Sequence, residues 1–538
     1  MIGRQEIARA LQNVAKHGDT DVFPFPFERS LIQERLKECV DYVSDMDQKF
    51  DDYLAHSAPL TIEMLSPVGY TGFRRVTLIE PFWNAYYLAL VMSVSDQIEA
   101  HRIPASENTV FSYRYRWLES DRSLFADSNW NTYRRECLSK STNFAFVVQT
   151  DIADFYPRIN HHRLENALDR LGRGADATKR IMKLLGIFSD KAFKASYGLP
   201  VGGPASRILA ELALNDCDQH LRNRAIQFCR YADDYCLFCD SRSAAYSLIV
   251  MLSDKLANDG LSLQKQKTRI LTAEEFKELN RLLDPVPGDD PTASEEQKLL
   301  GVSIRFDPYS ATAVDDYEAL KEAISQIDII GILSKEVGKT AIDQPVAKQA
   351  IDALKVLKTP LQERALQILL DKENLLTLSP VFPSVMRAVR GLYLNLSQTG
   401  QAHIDEALVE VHKSANHLLA VELNISYYIQ ALALSHSNAK ERILVQLFEQ
   451  FSTSHYLRRQ IILTMARWQR HYWLTDVKKR FRNLTEWERR AVIVASYRMG
   501  DEGKFWRKHN ECFWGNAEKL VSEWAFQRAK ADTLDGIV

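Results

Sequence analysis

Hydrophobic and polar positions follow two different patterns along the chain. Up to about residue 310, short apolar runs that predict strands alternate with longer stretches of helical spacing. The clearest strands are Phe144–Asp151, an apolar run that suits a strand buried on both faces and ends in an acid, and two runs within Phe228–Cys239 that are joined at Ala232-Asp233-Asp234. The second pair predicts a hairpin with the two aspartates at its turn. Weaker strand patterns occupy Leu261–Ile270 and Leu299–Ile304.

Helix signals separate these strands. Apolar residues at helical spacing predict five helices, over Leu31–Phe50, from Pro81 through Trp83 to Val94, over 161–171, from Pro204 to Arg224, and over Ser243–Asn258. Ser30 is a candidate N-cap of the first, Pro81 and Pro204 suit the first turns of the second and fourth, and Gly260 follows the end of the last. From about residue 311 strand signals nearly vanish, and helical spacing is broken only near Pro345, Pro360, Pro380 and Pro383. An all-helical tail of paired, stacked helices is the simplest interpretation, although no strict period is visible.

Composition narrows the class of protein. The 538 residues are too many for one core, and 46% hydrophobic with 26% charged residues is typical of a globular protein of two or three domains. A net charge of −2 excludes a global attraction to nucleic acid, so any such partner must be held by local basic surface. No secretion signal opens the chain, and the longest apolar run, Tyr86–Val94, is too short to span a membrane.

Seven cysteines at irregular spacing predict reduced thiols and a cytoplasmic protein. Cys236-x-x-Cys239 does not predict a zinc site, because residues three apart on a strand face opposite sides.

The paired aspartates Asp233 and Asp234 are the first candidate chemistry. Adjacent carboxylates between apolar flanks repel each other, and a divalent cation such as Mg²⁺ would compensate that repulsion. The alternative is an ordinary turn, where aspartates are common. Asp151 ends a buried strand, where a ligand can be held rigidly, and Asp154 follows at a position that also suits a helix N-cap.

Two other stretches combine cations with aromatic residues. Phe111–Trp117 alternates arginines with aromatics, which suits phosphate contact and base stacking or, equally, an exposed strand with charges on one face. Residues 458–508 hold 14 Lys/Arg against 5 Asp/Glu, with four tryptophans. Either they form solvated helix faces over a tryptophan-rich core, or they form a surface that binds nucleic acid.

Several of these segments, in their order, resemble the motifs of reverse transcriptases over roughly residues 65 to 305. They are Arg75–Pro81, Phe111–Arg114, Asp151–Tyr156, Gly198–Ser206, Tyr231–Asp234, Gly260–Thr268 and Leu300–Val302. The helical tail, in place of a nuclease domain, resembles bacterial abortive-infection and defence-associated reverse transcriptases. The resemblance implies an α+β fold with right-hand polymerase fingers and palm, an all-α thumb and a C-terminal helical, HEAT-like domain. The expected domains are an N-terminal helical extension (1–60), fingers and palm (61–310), thumb (311–395) and helical tail (396–538).

The resemblance also implies roles for individual residues. Asp151 and Asp233 would be the main ligands of two Mg²⁺ ions, or Mn²⁺, with Asp234 assisting. Tyr156 would pack beneath the incoming sugar and exclude a 2′-hydroxyl. Further substrate contacts would come from Arg75, Asp154, Phe155, Gly202 and Lys267, the last as a candidate acid for the pyrophosphate leaving group.

A DNA polymerase using dNTPs in antiphage defence is therefore expected, with RNA or single-stranded DNA as partner, no membrane, and self-association through the tail by analogy. Val201 stands where many viral enzymes carry glutamine near the incoming nucleotide. Templated copying stays open, and so does the template-independent synthesis primed on the protein, with a covalent protein–DNA product, that the resemblance to abortive-infection enzymes implies. Two alternatives are a catalytically spent scaffold that binds a partner through its tail and an orphan intron-type enzyme.

Overall fold

A four-stranded antiparallel sheet forms the base on which the acidic residues lie. The computed structural model describes residues 2–18, 20–125, 130–172, 174–189, 196–281, 294–301, 321, 324 and 327–534. These residues divide into two compact units, one of residues 1–63 and 76–281 and one of residues 64–75 and 282–538.

The first unit alternates helices and strands along the chain. They are α1 Arg4–His17, α2 Glu28–Glu34, α3 Leu36–Gln48, α4 Phe50–His56, β1 Thr61–Val68, β2 Gly72–Ile79, α5 Pro81–His101, a 3-10 turn Ala105–Glu107, β3 Tyr115–Leu118, β4 Ser123–Phe125, α6 Trp130–Ser141, β5 Phe146–Asp151, α7 Phe155–Arg158, α8 His161–Asp169, α9 Ala175–Ser189, α10 Pro204–Asn223, β6 Gln227–Tyr231, β7 Asp234–Cys239, α11 Arg242–Asn258, β8 Arg269–Thr272 and α12 Ala273–Arg281. The tip of the β1–β2 hairpin, 64–75, groups with the second unit.

The sheet has the order β6-β7-β5-β8 and is covered on both faces. Val147, Cys236 and Phe238 pack against α6 and α12, whereas α11 packs on β5 and β7 from the opposite side. Because successive side chains on a strand point to opposite faces, two covered faces favour apolar residues at consecutive positions, as at Phe146, Val147 and Val148 of β5. That strand and the aspartate-bearing hairpin are confirmed.

Helix α5 lies at the centre of the first unit. Pro81 occupies its first turn, as predicted. The Glu80 carboxylate caps the helix by accepting a hydrogen bond from the Trp83 backbone N–H (2.9 Å), which the sequence analysis did not predict. The helix packs against α1, α9 and α10 and is apolar on nearly every side. Among the residues described, no helix is both long and apolar enough to cross a bilayer.

Three sequence predictions about elements are wrong. The single helix expected over Leu31–Phe50 is broken at Arg35 (φ −127°) and Lys49 (φ −115°), and Ser30 lies inside α2 instead of capping a helix. The breaks let α2 and α3 each lay an apolar face on α1, and α3 also packs on α5.

The second error concerns the predicted strands after α11. Only Arg269–Thr272 pairs as a strand, while Leu263 makes a single bridge to Ile152. Leu299–Gly301 belongs to a helix, Glu295–Gly301, and the rest of that predicted strand (302–304) lies outside the described residues.

The third error concerns Phe111–Trp117, where only Tyr115–Leu118 is a strand. Arg114 is buried and forms an ion pair with Glu99 (2.7 Å), so it is not available for phosphate contact. Arg116 remains exposed.

Among the described residues of the second unit from 294 onward there are helices and 3-10 turns but no strand. The sequence predicts this only from about residue 311. The helices are Glu295–Gly301, Ile329–Val337, Gln344–Ala353, Thr359–Leu370, Lys372–Thr377, Phe382–Leu392, Gln398–Ser414, Glu422–Leu432, Asn438–Gln450, His455–Arg467, His471–Lys479, Glu486–Ser496, Gly500–Asn510 and Asn516–Lys530, with 3-10 turns at Leu354–Val356, Ser379–Val381, Tyr393–Asn395, Asn416–Ala420, Phe481–Asn483 and Glu511–Phe513.

Five of these helices form a row, which we call the inner ladder: Phe382–Leu392, Glu422–Leu432, His455–Arg467, Glu486–Ser496 and Asn516–Lys530. Each packs against the next one in this list, and they begin 30 to 40 residues apart (residues 382, 422, 455, 486 and 516). Helices that stack on their nearest neighbours in this way are typical of α-helical repeat proteins. The ladder supports the predicted stacking, with a period too irregular to be read from the sequence.

All seven cysteines are free. Six are buried, and Cys512 is exposed on the turn before the last ladder helix.

Candidate active site

Three aspartates from two distant segments meet at one edge of the sheet. Asp151 ends β5 and lies directly opposite Asp234, the first residue of β7, while Asp233 occupies the adjoining turn. Each can direct a carboxylate oxygen so that the three atoms lie within 4.8 Å of one another. Within the described part of the chain this is the single cluster of three or more residues with the geometry of a metal site.

The turn between β6 and β7 holds an unusual backbone conformation. Tyr231 pairs with Asp234, so only Ala232 and Asp233 lie between the strands, and Ala232 has φ +52°. Tight hairpin turns normally place glycine where φ is positive, and a residue with a side chain there costs about 1–3 kcal/mol. The Asp233 carbonyl accepts a hydrogen bond from the Ile152 N–H (3.2 Å), which ties the turn to the end of β5.

The local charges favour a cation. Burial, followed by the charges of Asp151 and Asp234, raises the pKa of Asp233 to about 7. Burial and the charge of Asp151 raise the pKa of Asp234 to about 6, although Lys267 opposes the shift. Because each carboxylate disfavours ionisation of its neighbours, an ion that neutralises all three would be bound favourably.

Lys267 supplies the positive charge nearest to the triad. Its ammonium forms an ion pair with the Asp151 carboxylate. Burial lowers the pKa of Lys267, but the hydrogen bond to Asp151 and the charges of the three aspartates raise it by more. The sequence therefore located Lys267 correctly beside the acids, and its catalytic role stays a prediction.

The loop after β5 carries the next predicted residues. Asp154 adopts φ +48° at the start of α7, is largely exposed, and lies 3.7 Å from Arg158. The Phe155 ring is buried and packs against the half-buried Tyr156 ring (centroids 5.4 Å apart). Burial, with Tyr113, Glu211 and Asp233 nearby, raises the pKa of Tyr156. Tyr156 is therefore neutral and held close to the turn that bears Asp233.

The glycine-rich loop before α10 packs against the N-terminal extension. Gly202 has φ +129°, and a Cβ there would lie 2.6 Å from the Thr20 hydroxyl oxygen. The Gly202 carbonyl also accepts a hydrogen bond from the Asp21 N–H (3.3 Å). The loop is therefore shaped by residues that the sequence pattern did not connect with it.

Sequence reasoning missed Arg207, on the first turn of α10. Its guanidinium pairs with Asp21 and lies over the Tyr113 ring (5.2 Å to the centroid). The glycine, proline and serine residues before it predict a loop. No local sequence pattern indicates an ion pair between Arg207 and Asp21, which are 186 residues apart.

Two predicted features belong to the second unit. Arg75 is exposed on β2, in the segment that groups with the second unit. The tryptophans of 458–508 mostly support the core alternative, because Trp468 and Trp487 are buried, while Trp473 and Trp506 pack edge-on against Phe448 and Phe481.

Comparison with known proteins agrees with this geometry. Residues 87–304 match the family described as "Reverse transcriptase (RNA-dependent DNA polymerase)". The matched segment contains the three aspartates, Tyr156 and Lys267. None of the curated proteins matches the chain significantly.

Two solved structures are similar to the chain at low identity. Apo telomerase from Candida tropicalis is 11% identical with a TM-score of 0.30, over 64% of this chain and 72% of that chain. Telomerase from Candida albicans, in complex with a fragment of telomeric RNA, is 11% identical with a TM-score of 0.28, over 78% and 70% respectively.

The family match covers the sheet, its hairpin and the loops around the acids. It indicates a reverse-transcriptase-like α+β fold and a nucleotidyltransferase, with a helical region following it.

Proposed function

We propose that the protein is an RNA-directed or template-independent DNA polymerase that transfers nucleotidyl groups from dNTPs, with Mg²⁺ as its metal. The observation that carries the proposal is the convergence of Asp151, Asp233 and Asp234 within 4.8 Å, from segments more than 80 residues apart. Oxygen ligands of this kind suit Mg²⁺, and Mn²⁺ is the natural substitute.

The residues present fit a divalent metal site. Two elevated carboxyl pKa values and one lysine partner show a surplus of negative charge at the edge of the sheet. When bound, a pair of such ions supplies activation of the attacking 3′-hydroxyl and neutralisation of the triphosphate.

The side chains around the acids would then position the substrate. Asp151 and Asp233 are assigned as main ligands and Asp234 as an assisting ligand. The Lys267 ammonium, already held at the triad, would donate a proton to the pyrophosphate leaving group. Following the resemblance, Arg75, Asp154, Phe155 and Gly202 are assigned to the triphosphate and the nucleotide.

DNA synthesis by the purified full chain tests the proposal. With dNTPs and Mg²⁺, and with RNA, single-stranded DNA or no template, the wild type should form polymer. Asp233→Asn should lower the rate at least about 100-fold, because it removes a metal ligand. Absence of product from the wild type under all of these conditions would refute the proposal and would favour the scaffold alternative.

The mode of synthesis and its setting are part of the same proposal. The resemblance to abortive-infection enzymes supports protein-primed synthesis in antiphage defence. The cysteine pattern supports a cytoplasmic location, and the helical tail supports self-association by analogy. A radiolabelled product that stays with the protein through denaturation, and is released by protease, would show covalent priming. Product that depends on added RNA and separates freely from the protein would show templated copying instead.

A further inference from the structure

A buried network of charges lies behind the turn that carries Asp233. Arg230 is fully buried at the end of β6, and its partners Glu211 and Asp218 on α10 are each only 2% exposed. Two carboxylates thus face the guanidiniums of Arg230 and Arg102, so the charges balance. Isolated charges would be very unfavourable at this depth, so each member of the network depends on its partners for compensation.

Arg230 uses all three of its guanidinium nitrogens. Nε donates to Asp218 Oδ1 (2.8 Å), and Nη2 donates to Asp218 Oδ2 (2.6 Å) and Glu211 Oε2 (2.9 Å). Nη1 donates to Glu211 Oε1 (3.3 Å) and to the Ala232 carbonyl oxygen (2.8 Å). The last bond reaches forward along the chain to the strained residue of the turn.

The backbone of Arg230 is fixed as well. Its N–H donates to the Thr109 carbonyl (2.8 Å), and its carbonyl accepts from the Phe111 N–H (3.0 Å). Both the side chain and the backbone of Arg230 are therefore held by hydrogen bonds. The hydrogen bond from its guanidinium to the Ala232 carbonyl restrains the turn as well.

We propose that Arg230 is a positioning residue: its guanidinium, fixed by Glu211 and Asp218, holds the Ala232 carbonyl and so sets the direction in which Asp233 presents its carboxylate. The inference rests on the proposed function, since it concerns the same metal ligands. Groups that orient metal ligands from behind commonly affect metal affinity or activity 10–100-fold.

A lysine cannot replace this arginine. One ammonium nitrogen cannot bridge two carboxylates and a carbonyl in the planar geometry that a guanidinium offers. Arg230→Lys therefore keeps the buried positive charge and loses the hydrogen bond to the Ala232 carbonyl. Arg102→Lys is the matched control, because Arg102 also donates to Glu211 Oε2 (2.6 Å), yet it makes no contact with the turn among the hydrogen bonds described.

Mn²⁺ affinity of the full-length protein, measured by calorimetry without nucleotides, is the first readout. We expect Arg230→Lys to bind Mn²⁺ at least about 10-fold more weakly than the wild type, and Arg102→Lys to stay within about 2-fold. In DNA synthesis, kcat of Arg230→Lys should fall by a similar factor with little change in KM for dNTPs. Equal losses in both variants, or wild-type affinity in Arg230→Lys, would overturn the inference.

Relief of the backbone strain provides a rescue experiment. Glycine tolerates φ +52° without help, so adding Ala232→Gly to Arg230→Lys should recover part of the lost Mn²⁺ affinity. No recovery would argue that Arg230 acts on the metal site by some other route.

Two further measurements keep the test decisive. If Arg230→Lys does not fold, Asp218→Asn replaces it, since this change loosens the guanidinium while leaving the turn residues intact. Unchanged Mn²⁺ affinity in Asp218→Asn would then contradict the inference.

If the wild type itself binds no Mn²⁺, the proposed function fails, and hydrogen exchange at amides 232–236 decides the positioning role alone. Faster exchange by about 10-fold in Arg230→Lys, but not in Arg102→Lys, would support it, and equal exchange would refute it.

Discussion

At the scale of single residues, the carboxylate of Asp233 is destabilising until a cation compensates it. Burial and the charges of Asp151 and Asp234 raise its pKa to about 7, which reflects that unfavourable environment. Asp233→Asn should therefore stabilise the metal-free protein by on the order of 1 kcal/mol. With saturating Mg²⁺ the wild type should become the more stable of the two proteins. Its free energy of unfolding should rise by about 2.7 kcal/mol at an Mg²⁺ concentration of 100 times the dissociation constant, and that of the variant should rise far less.

Thermal melting with and without Mg²⁺ checks this prediction. Asp240→Asn, an exposed acid at the other end of the same hairpin strand, should keep the full response to Mg²⁺. A response to Mg²⁺ that is as large in Asp233→Asn as in the wild type would place the ion elsewhere.

Gly202 should not tolerate a side chain. Alanine there would adopt φ +129° and push against the Thr20 hydroxyl at 2.6 Å, so Gly202→Ala should destabilise the protein by about 1–3 kcal/mol and lower DNA synthesis. Gly186→Ala, in the middle of helix α9 with open space around it, should instead be stabilising by up to about 1 kcal/mol. Urea unfolding of both variants measures the contrast, and a neutral Gly202→Ala would show that the loop relaxes.

Tyr156 provides a test of sugar selection. If its ring excludes a 2′-hydroxyl, Tyr156→Ala should raise the use of ribonucleotides relative to deoxynucleotides by about 10-fold or more, since rejection by steric clash is lost. Tyr156→Phe retains the ring and should keep the preference. Competition between rNTPs and dNTPs measures the ratio, and equal selectivity in all three proteins would remove this role.

The meeting of Asp151 with Asp233 and Asp234 was predictable because each sits at the end of a strongly patterned strand. The roles of Arg230 and Arg207 were not predictable. Their ion pairs, with Glu211 and Asp21 respectively, form only when separate segments of the chain pack together. A buried arginine looks the same in sequence as an exposed one.

At the scale of elements, the sequence predicted long apolar runs and capped helices well. β5, the β6–β7 hairpin, α10 and α11 begin or end within a few residues of the prediction. The break at Arg35 was not predictable, because no glycine or proline marks it, although the two helices it separates both pack on α1. Alternation in Leu261–Ile270 was misleading for a similar reason, since only its end finds a partner strand.

The inner ladder contains a repeated ion pair. An arginine near the start of one helix pairs with a glutamate near the start of the next, as Arg458 with Glu488 (2.5 Å) and Arg489 with Glu518 (2.6 Å). Each glutamate also accepts a backbone N–H at its own helix start, from Thr485 (3.0 Å) and Gly515 (2.9 Å) respectively. The same side chain therefore caps one helix and joins it to its neighbour.

Glu488 should make the ladder sensitive to acid. Burial raises its pKa, but hydrogen bonds from His455, Arg458 and Thr485 outweigh that effect and lower the pKa to about 2. Because the folded-state pKa lies below the usual 4.5, the stabilisation is fully present above pH 4.5 and is lost as the pH falls toward 2.

Glu488→Gln should therefore cost about 1–3 kcal/mol at pH 7, and the difference from wild type should shrink between pH 5 and pH 3. Glu523→Gln, an exposed position on the last ladder helix, is the control and should change little at any pH. Melting curves across this pH range test the prediction, and a difference independent of pH would contradict it.

At the scale of the whole molecule, two compact units divide the described chain after residue 281, with the 64–75 hairpin tip grouped with the later residues. The predicted boundary between palm and thumb, at 310, lies outside the described residues. A sequence pattern indicates where strands cease, but it does not report that a hairpin tip groups with residues far along the chain, where Tyr70 donates to the Thr377 carbonyl (2.6 Å).

The two units should respond separately to local perturbations. Mg²⁺ bound at the acids of the first unit, as proposed, should slow hydrogen exchange mainly in residues 146–151 and 227–239. Glu488→Gln acts within the ladder, so it should speed exchange mainly in residues 455–530. Exchange mapped by mass spectrometry would test this, and strong effects of either change throughout the chain would contradict it.

The exposure of Cys512 has a practical consequence. With six thiols buried and this one at the surface, a maleimide dye should attach to a single known position of the unaltered chain. If the labelled protein migrates more slowly in a denaturing gel after incubation with dNTPs, the polymer is covalently attached to the enzyme itself. The fraction of labelled protein in the slower band gives the fraction of chains that carry polymer.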